Sequence, residues 1–521
     1  MTKTHILKKG VIKLISRSFT WHLLTSFFAF WAEKVKKSAL INAVMRFFNW
    51  IQKKIEESGI YSWLGKESFS EKYTKGSFTY MCIDAVWSFA LKIIRSIQLF
   101  TRRVFKNSFT LWLFDFVNSK NLLAMDTYLA LFIGLMFLAP HNLWNNLYAF
   151  LGAMGFLCWC VFNIASGKIS AGSIKKVPLS VVIFIIAIFV STVTAYVFSD
   201  ALRIALFLIA SVIFSYCVYA SVDTKEKLIR FLKIVLFFVA LTGVYAIAQR
   251  IMGVEVDLEF VDITQNEGMP GRVYSTFSNP NNFAQLLVLF MPFMVPLFLS
   301  LKTKFEKLCV AGAFAVCLGA LAMTYSRSGW VGFALSAVVF VCIYDKRLLI
   351  PFGFLVIAAI PFLPDTIMNR IFTIGSMEDS SNSYRLYIWD SCVRMIKDYG
   401  IKGLGLGPES FRAVYPGYSS PVAITAPHSH MLYMEIVLEM GLMGALSFFA
   451  YIIATIKKTA GSMRIMDKEL KSYAIAGISA LSGIAFVCCA EYIWFYPRVM
   501  FAFWIVPGLM LATARISKKG E

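Results

Sequence analysis

The most constraining feature of the chain is a succession of apolar runs that begins at Leu122 and continues almost to the last residue. A helix needs roughly 20 apolar residues to cross the hydrocarbon core of a bilayer. Twelve segments approach that length, at 122–140, 143–163, 177–198, 203–221, 231–252, 280–300, 308–324, 329–344, 348–363, 430–456, 472–492 and 498–513. Of 521 residues, 58% are hydrophobic and only 16% charged. A soluble domain is about 45–50% apolar and about 25% charged, so a water-soluble enzyme and a disordered chain are both excluded. The pattern predicts an all-α polytopic membrane protein of about 12 transmembrane helices. The seventh to ninth runs are short enough to tilt, break or re-enter.

Charge divides the chain further. The formal net charge is +21, which in a soluble protein would point to nucleic acid, but here the basic residues flank apolar spans, where they set orientation and meet anionic lipid. No nucleic-acid partner is expected. The first 120 residues hold 20 Lys and Arg against 7 Asp and Glu. Aromatic residues interleave with these charges, and stretches such as 85–105 read as basic amphipathic helices lying on a membrane surface. Residues 1–121 are therefore expected to form a cytoplasmic, membrane-surface region that binds anionic lipids. They show no short apolar core with a cleavage site, so no secretory signal is expected. Residues 122–515 form the transmembrane domain, and 516–521 a cytoplasmic tail.

With the basic N-terminus inside and alternation thereafter, 39 of the 51 Lys and Arg fall on the inner side, as the positive-inside rule requires. Both termini are then cytoplasmic. Two outer segments are long, 253–279 and 365–429, the second between the ninth and tenth helices; long loops are more often functional than decorative. Of the ten cysteines, Cys158, Cys160, Cys488 and Cys489 lie in apolar runs and read as packing residues rather than a disulfide framework.

The basic residues left on the outer side are informative, among them Arg272, Arg327, Arg370, Arg385 and Arg498. Arg272 precedes Asn279-Pro280-Asn281-Asn282, a helix start with Asn279 as N-cap and proline at the first position. Arg327 sits in Tyr325-Ser326-Arg327-Ser328-Gly329-Trp330 between two apolar runs. An arginine at that depth is costly and usually has a partner; its fork suits a phosphate, or a structural pair with a carboxylate such as Glu491. Arg385 opens a stretch whose helical spacing makes Ile388, Trp389, Cys392 and Met395 one apolar face. Gly403, Gly405 and Gly407 permit a tight turn and are weak signals for phosphate binding. His428 and His430 are two of only five histidines. They could serve as a general base, a hydrogen-bonding pair, or a metal pair lacking a third ligand.

Taken in order, residues 272–282, Ser326-Arg327-Ser328-Gly329, Ser383-Tyr384-Arg385, the three spaced glycines and His428-Ser429-His430 with Glu439-x-Gly441-x-x-Gly444 resemble the core of the O-antigen ligase/polymerase family. Those bacterial membrane glycosyltransferases move a glycan from an undecaprenyl-pyrophosphate carrier to an acceptor hydroxyl. The resemblance covers roughly 122–515. It implies a metal-independent, cofactor-free, inverting transfer in the bacterial cytoplasmic membrane with the site on the extracytoplasmic side. The family's histidine base maps onto His430, where Met431 replaces its usual asparagine neighbour. Its two pyrophosphate-binding arginines map onto Arg327 and Arg385, with Arg272 a third; His428, Asn279, Asn281, Tyr384 and Glu439 are supporting candidates. The expected partners are the lipid-linked glycan donor and a glycan or lipid-glycan acceptor. Two rival classes are a flippase for the same lipid-linked glycan and a non-catalytic subunit of a polysaccharide export assembly. A flippase is expected to carry mid-span charges and inverted repeats.

Overall fold

The computed structural model describes residues 78–105, 124–148, 179–255, 270–375 and 380–518, with a few isolated positions besides. The chain falls into two compact units: Gly65–Tyr344 with Pro361–Glu521, and Met1–Leu64 with Asp345–Ile360. In the smaller unit the described part is chiefly a helix, Leu349–Ala359, preceded by a turn in which Asp345 accepts the N–H of Arg347 at 3.0 Å.

The described elements of the chain are all helices. They are α1 (Phe78–Phe105), α2 (Met125–Leu138), α3 (Leu179–Val193), α4 (Phe198–Ser221), α5 (Lys225–Met252), α6 (Pro280–Phe290) and α7 (Met294–Ser300). There follow α8 (Lys304–Met323), α9 (Arg327–Asp345), α10 (the Leu349–Ala359 helix of the smaller unit), α11 (Asp365–Phe372), α12 (Ser380–Tyr399) and α13 (Pro408–Val414). The last are α14 (Leu432–Ser462), α15 (Lys468–Val487) and α16 (Pro497–Ser517). Seven stretches are long and apolar enough to cross a membrane: α4, α5, α6 continuing into α7, α8, α14, α15 and α16. Each coincides with a run read from the sequence. Two shorter apolar helices occupy 125–138 and 180–193, where runs at 122–140 and 177–198 were expected. The run expected at 143–163 lies almost wholly outside the described residues. α8 is a full 20 residues, longer than its apolar run, because the helix continues through charged residues to a cap at Thr303. Thr224 and Asp467 cap α5 and α15 in the same way.

The bundle centres on α16, α15 and α6–α7, the most buried of the spans, with α8 the least. α4, α14 and α15 pack on α16, α3 on α14, and α2 and α8 on α5. Trp494, Trp504, Phe184 and Phe448 interlock in the core. The ends of the bundle differ. At one end Lys225 pairs with Asp467 and Glu469, Lys233 with Glu306, and Arg515 reaches the Val222 carbonyl. At the other, α6, α9, α14 and α16 begin and α8 and α15 end. Across this second end lie residues 365–375 and 380–431, which are folded rather than open: Ile388, Cys392 and Met395 of α12 are fully buried against Phe411, Tyr415 and Leu438. α1 carries Asp84, Ser88, Lys92, Arg95 and Arg103 along one stripe, while Phe89, Ile93 and Phe100 are exposed.

Candidate active site

Four arginines approach one another at this second end. Arg272 is buried, and its Nε donates to the Thr324 carbonyl at 2.7 Å while Nη2 donates to Asn281 Oδ1 at 2.6 Å. Asn279 caps α6 by accepting the Asn281 N–H at 2.8 Å, with Pro280 at the first position. The cap orients Asn281, whose Nδ2 donates to Glu491 Oε1 at 3.0 Å. Arg385 Nη2 donates to the same oxygen at 3.0 Å. Arg327, opening α9, donates to the Thr373 carbonyl at 2.8 Å and to Asn382 Oδ1 at 3.3 Å. Arg370, also buried, donates to the Tyr325 carbonyl at 3.4 Å.

The charges feel one another. Burial, then the charge of Arg370, pushes the Arg272 guanidinium down to about 9; Glu491 opposes the shift, and Arg327 and Arg385 add to it. Burial lifts the Glu491 carboxyl above the usual range against the pull of Arg385 and Arg272. Such a cluster of buried cations around a single bridging carboxylate marks a functional site more often than a stabilising one.

The two histidines lie beside this cluster, on the approach to α14. The loop is pinned from several sides. The Ser429 N–H donates to Glu435 Oε2 of α14 at 2.7 Å, and Trp389 Nε1 of α12 donates to the Ser429 carbonyl at 3.1 Å. The Leu432 N–H reaches the carbonyls of Cys488 and Glu491 at 3.0 and 3.2 Å. Met431 takes the N-cap position of α14 without a side-chain cap, and its N–H is received by Ser429 Oγ at 3.3 Å. The adjacent serine and the α15–α16 connection thus satisfy the backbone N–H groups at the start of α14. His430 has φ +54°, a conformation costing a non-glycine residue about 1–2 kcal/mol. Burial, then the Arg385 charge, pushes its imidazole down to about 3, so it is neutral. Tyr384 meets it edge-on at 6.5 Å. His430 Nδ1 and Arg385 Nε are both buried and without a hydrogen-bond partner among the described residues; native interiors rarely tolerate this away from sites of function.

The three spaced glycines do something other than cradle phosphate. All have positive φ, and α14 is broken at Gly441, φ +64°. The strap from Gly403 to Gly407 lies in that break, with the N–H groups of Leu404 and Gly405 on the carbonyls of Leu438 and Glu439 at 2.6 and 3.1 Å. Gly407 N–H donates to Glu439 Oε1 at 2.9 Å, and Tyr492 Oη donates to the same carboxylate at 3.0 Å. Glu439 is thus a buried junction joining strap, helix break and the Tyr492 segment.

Of the sequence candidates, Arg272, Asn281 and Arg385 share a hydrogen-bonded network, Arg385 and Tyr384 adjoin His430, and Arg327 joins through the Arg272 field. Asn279 is a helix cap and Glu439 a packing junction. Two participants were named in the sequence reading but not placed in the site. Arg370 lacks a distinctive local motif, and Glu491 was weighed only as a partner for Arg327, whereas it receives Arg385 and Asn281. Among the described residues no three His, Cys, Asp or Glu side chains gather as a metal would need.

The fold and site are those of a multi-pass α-helical membrane protein with a cluster of arginines at one end of its bundle. The family model described as O-antigen ligase matches residues 312–449, so the chain is similar to that family over this segment, which holds the motifs from Ser326 to Gly444 and not the 272–282 stretch. The matched stretch runs from α8 into α14 and contains Arg327, Arg370, Arg385 and both histidines; Arg272 and Glu491 lie outside it. No curated protein matches the chain.

Proposed function

We propose that the chain is a membrane glycosyltransferase of the O-antigen ligase/polymerase type, which moves a glycan from undecaprenyl pyrophosphate to an acceptor hydroxyl in cell-surface polysaccharide synthesis. The observation that carries this reading is a buried His430, its Nδ1 without a partner among the described residues, beside the four-arginine cluster. In the transfer, His430 takes the proton of the acceptor hydroxyl, whose oxygen attacks the anomeric carbon. The bond to the pyrophosphate oxygen breaks, with inversion. Arg327, Arg385 and Arg272 receive the charge that develops on the leaving group, a stabilisation that preorganised cations supply strongly. Base assistance contributes about 10²–10⁴-fold.

The site gives the donor a second role. Arg385 depresses the basicity of His430, and a pyrophosphate seated on Arg385 offsets that charge. The base therefore strengthens when the donor is bound. The chain sits in the bacterial cytoplasmic membrane with both termini cytoplasmic and this site extracytoplasmic, and its basic N-terminal region rests on anionic lipid. The purified chain, given lipid-linked donor and acceptor in detergent, should consume donor and release undecaprenyl pyrophosphate. Intact donor in that assay would support the export-subunit reading, and donor moved between leaflets unconsumed when the chain is placed in vesicles would support the flippase reading.

A further inference from the structure

His428 occupies a position unlike that of a second base. Its Nδ1 accepts the main-chain N–H of His430 at 3.1 Å. An accepting ring nitrogen carries its lone pair, so the proton of neutral His428 resides on Nε2. The two imidazoles lie 4.2 Å apart, and Tyr492 and Phe495 close over His428 at 5.5 and 4.5 Å. Burial, then the charges of His430, Arg385 and Arg412, holds His428 well below the usual histidine range. His430 meanwhile has the left-handed φ of +54°, which persists only where neighbours over-determine it. Trp389 and Glu435 grip the Ser429 peptide units on either side. The His428 bond acts one residue further along, on the N–H of His430 itself.

We propose that His428 is a positioning residue: fixed as the Nε2–H tautomer, it clamps the backbone of His430 in the left-handed conformation and so aims that imidazole at the acceptor hydroxyl. The inference rests on His430 being the base. It also makes a chemical distinction, because the side-chain oxygen of asparagine can take the place of Nδ1, whereas that of glutamine takes the place of Nε2.

Steady-state release of undecaprenyl pyrophosphate from the detergent-purified full chain tests this. His428→Ala and His428→Gln should lose about tenfold or more in kcat, with KM for the donor within about twofold of wild type, since misaiming costs rate rather than binding. His428→Asn should recover most of what the alanine variant loses. Equal loss in the asparagine and glutamine variants, or wild-type kcat in the alanine variant, overturns the proposal. Nitrogen-15 histidine spectra of the unmodified chain, with the His428 signals identified from the His428→Asn variant, give a readout independent of turnover. They should show an unprotonated Nδ1 and a protonated Nε2 at neutral pH, and a protonated Nδ1 overturns the clamp. His430→Ala turning over at the wild-type rate, with that tautomer intact, would overturn the base assignment alone.

Discussion

If Arg327 and Arg385 grip one pyrophosphate, lysine at either position keeps the charge but loses the paired N–H fork. Each Arg→Lys variant should lose most of its activity, at about 1.5–3 kcal/mol per charged hydrogen-bonding partner. The double variant should be less impaired than the product of the singles, because both act on one group. Strict multiplicativity with unchanged donor affinity, read in a double-mutant cycle on carrier release, would show that these arginines serve the fold instead. The pH dependence is a second residue-scale expectation. Burial and Arg385 push the His430 imidazole down to about 3 in the free chain, and kcat/KM reports free-enzyme groups. That profile should stay flat from pH 8 to below the ordinary histidine value, with no inflection from His430 near 6.5. The kcat profile, which reports the donor complex, should bend at higher pH than the kcat/KM profile. An inflection at 6.5 in kcat/KM, absent in His430→Ala, would contradict the burial of the base. Motifs framed Arg327, Arg385 and His430 in the sequence, and the structure brings these three to one end of the bundle. Arg370 and Glu491 had no such frame, since their place beside Arg272 and Arg385 comes from convergence of segments distant in the chain.

At the scale of elements, hydropathy located helices well and ended them early. α5 begins at Lys225, not at 231, because a helix runs on through charged residues to its cap while an apolar window stops at the first cluster of lysines. The glycine strap shows the converse. Its spacing was visible, but its purpose depends on a break in α14 that no local pattern announced. Gly405 has φ +104°, and a Cβ there would overlap the Ala195 backbone. Gly405→Ala should therefore cost about 2–4 kcal/mol from strain and overlap together, seen as a lower melting temperature in detergent. An unchanged melt would mean that the strap can lift from the α14 break without cost.

For the whole molecule, the gathering of Lys225, Lys233 and Arg515 at the end remote from His430 is what the positive-inside rule requires of a cytoplasmic face. A reporter fused at residue 60 and one inserted in the 418–425 loop should lie on opposite sides of the membrane, the first cytoplasmic. Signals from the same side would reverse the topology and with it the side on which transfer occurs. The central claim is that this bundle performs glycosyl transfer with His430 as base. Its most direct test is the release of undecaprenyl pyrophosphate by the purified wild-type chain and by His430→Ala, with donor binding measured on the same samples. The account predicts turnover in the wild type and, in the variant, a loss of about 10²-fold or more with donor affinity nearly unchanged. A His430→Ala chain that keeps more than about a tenth of wild-type turnover would contradict it.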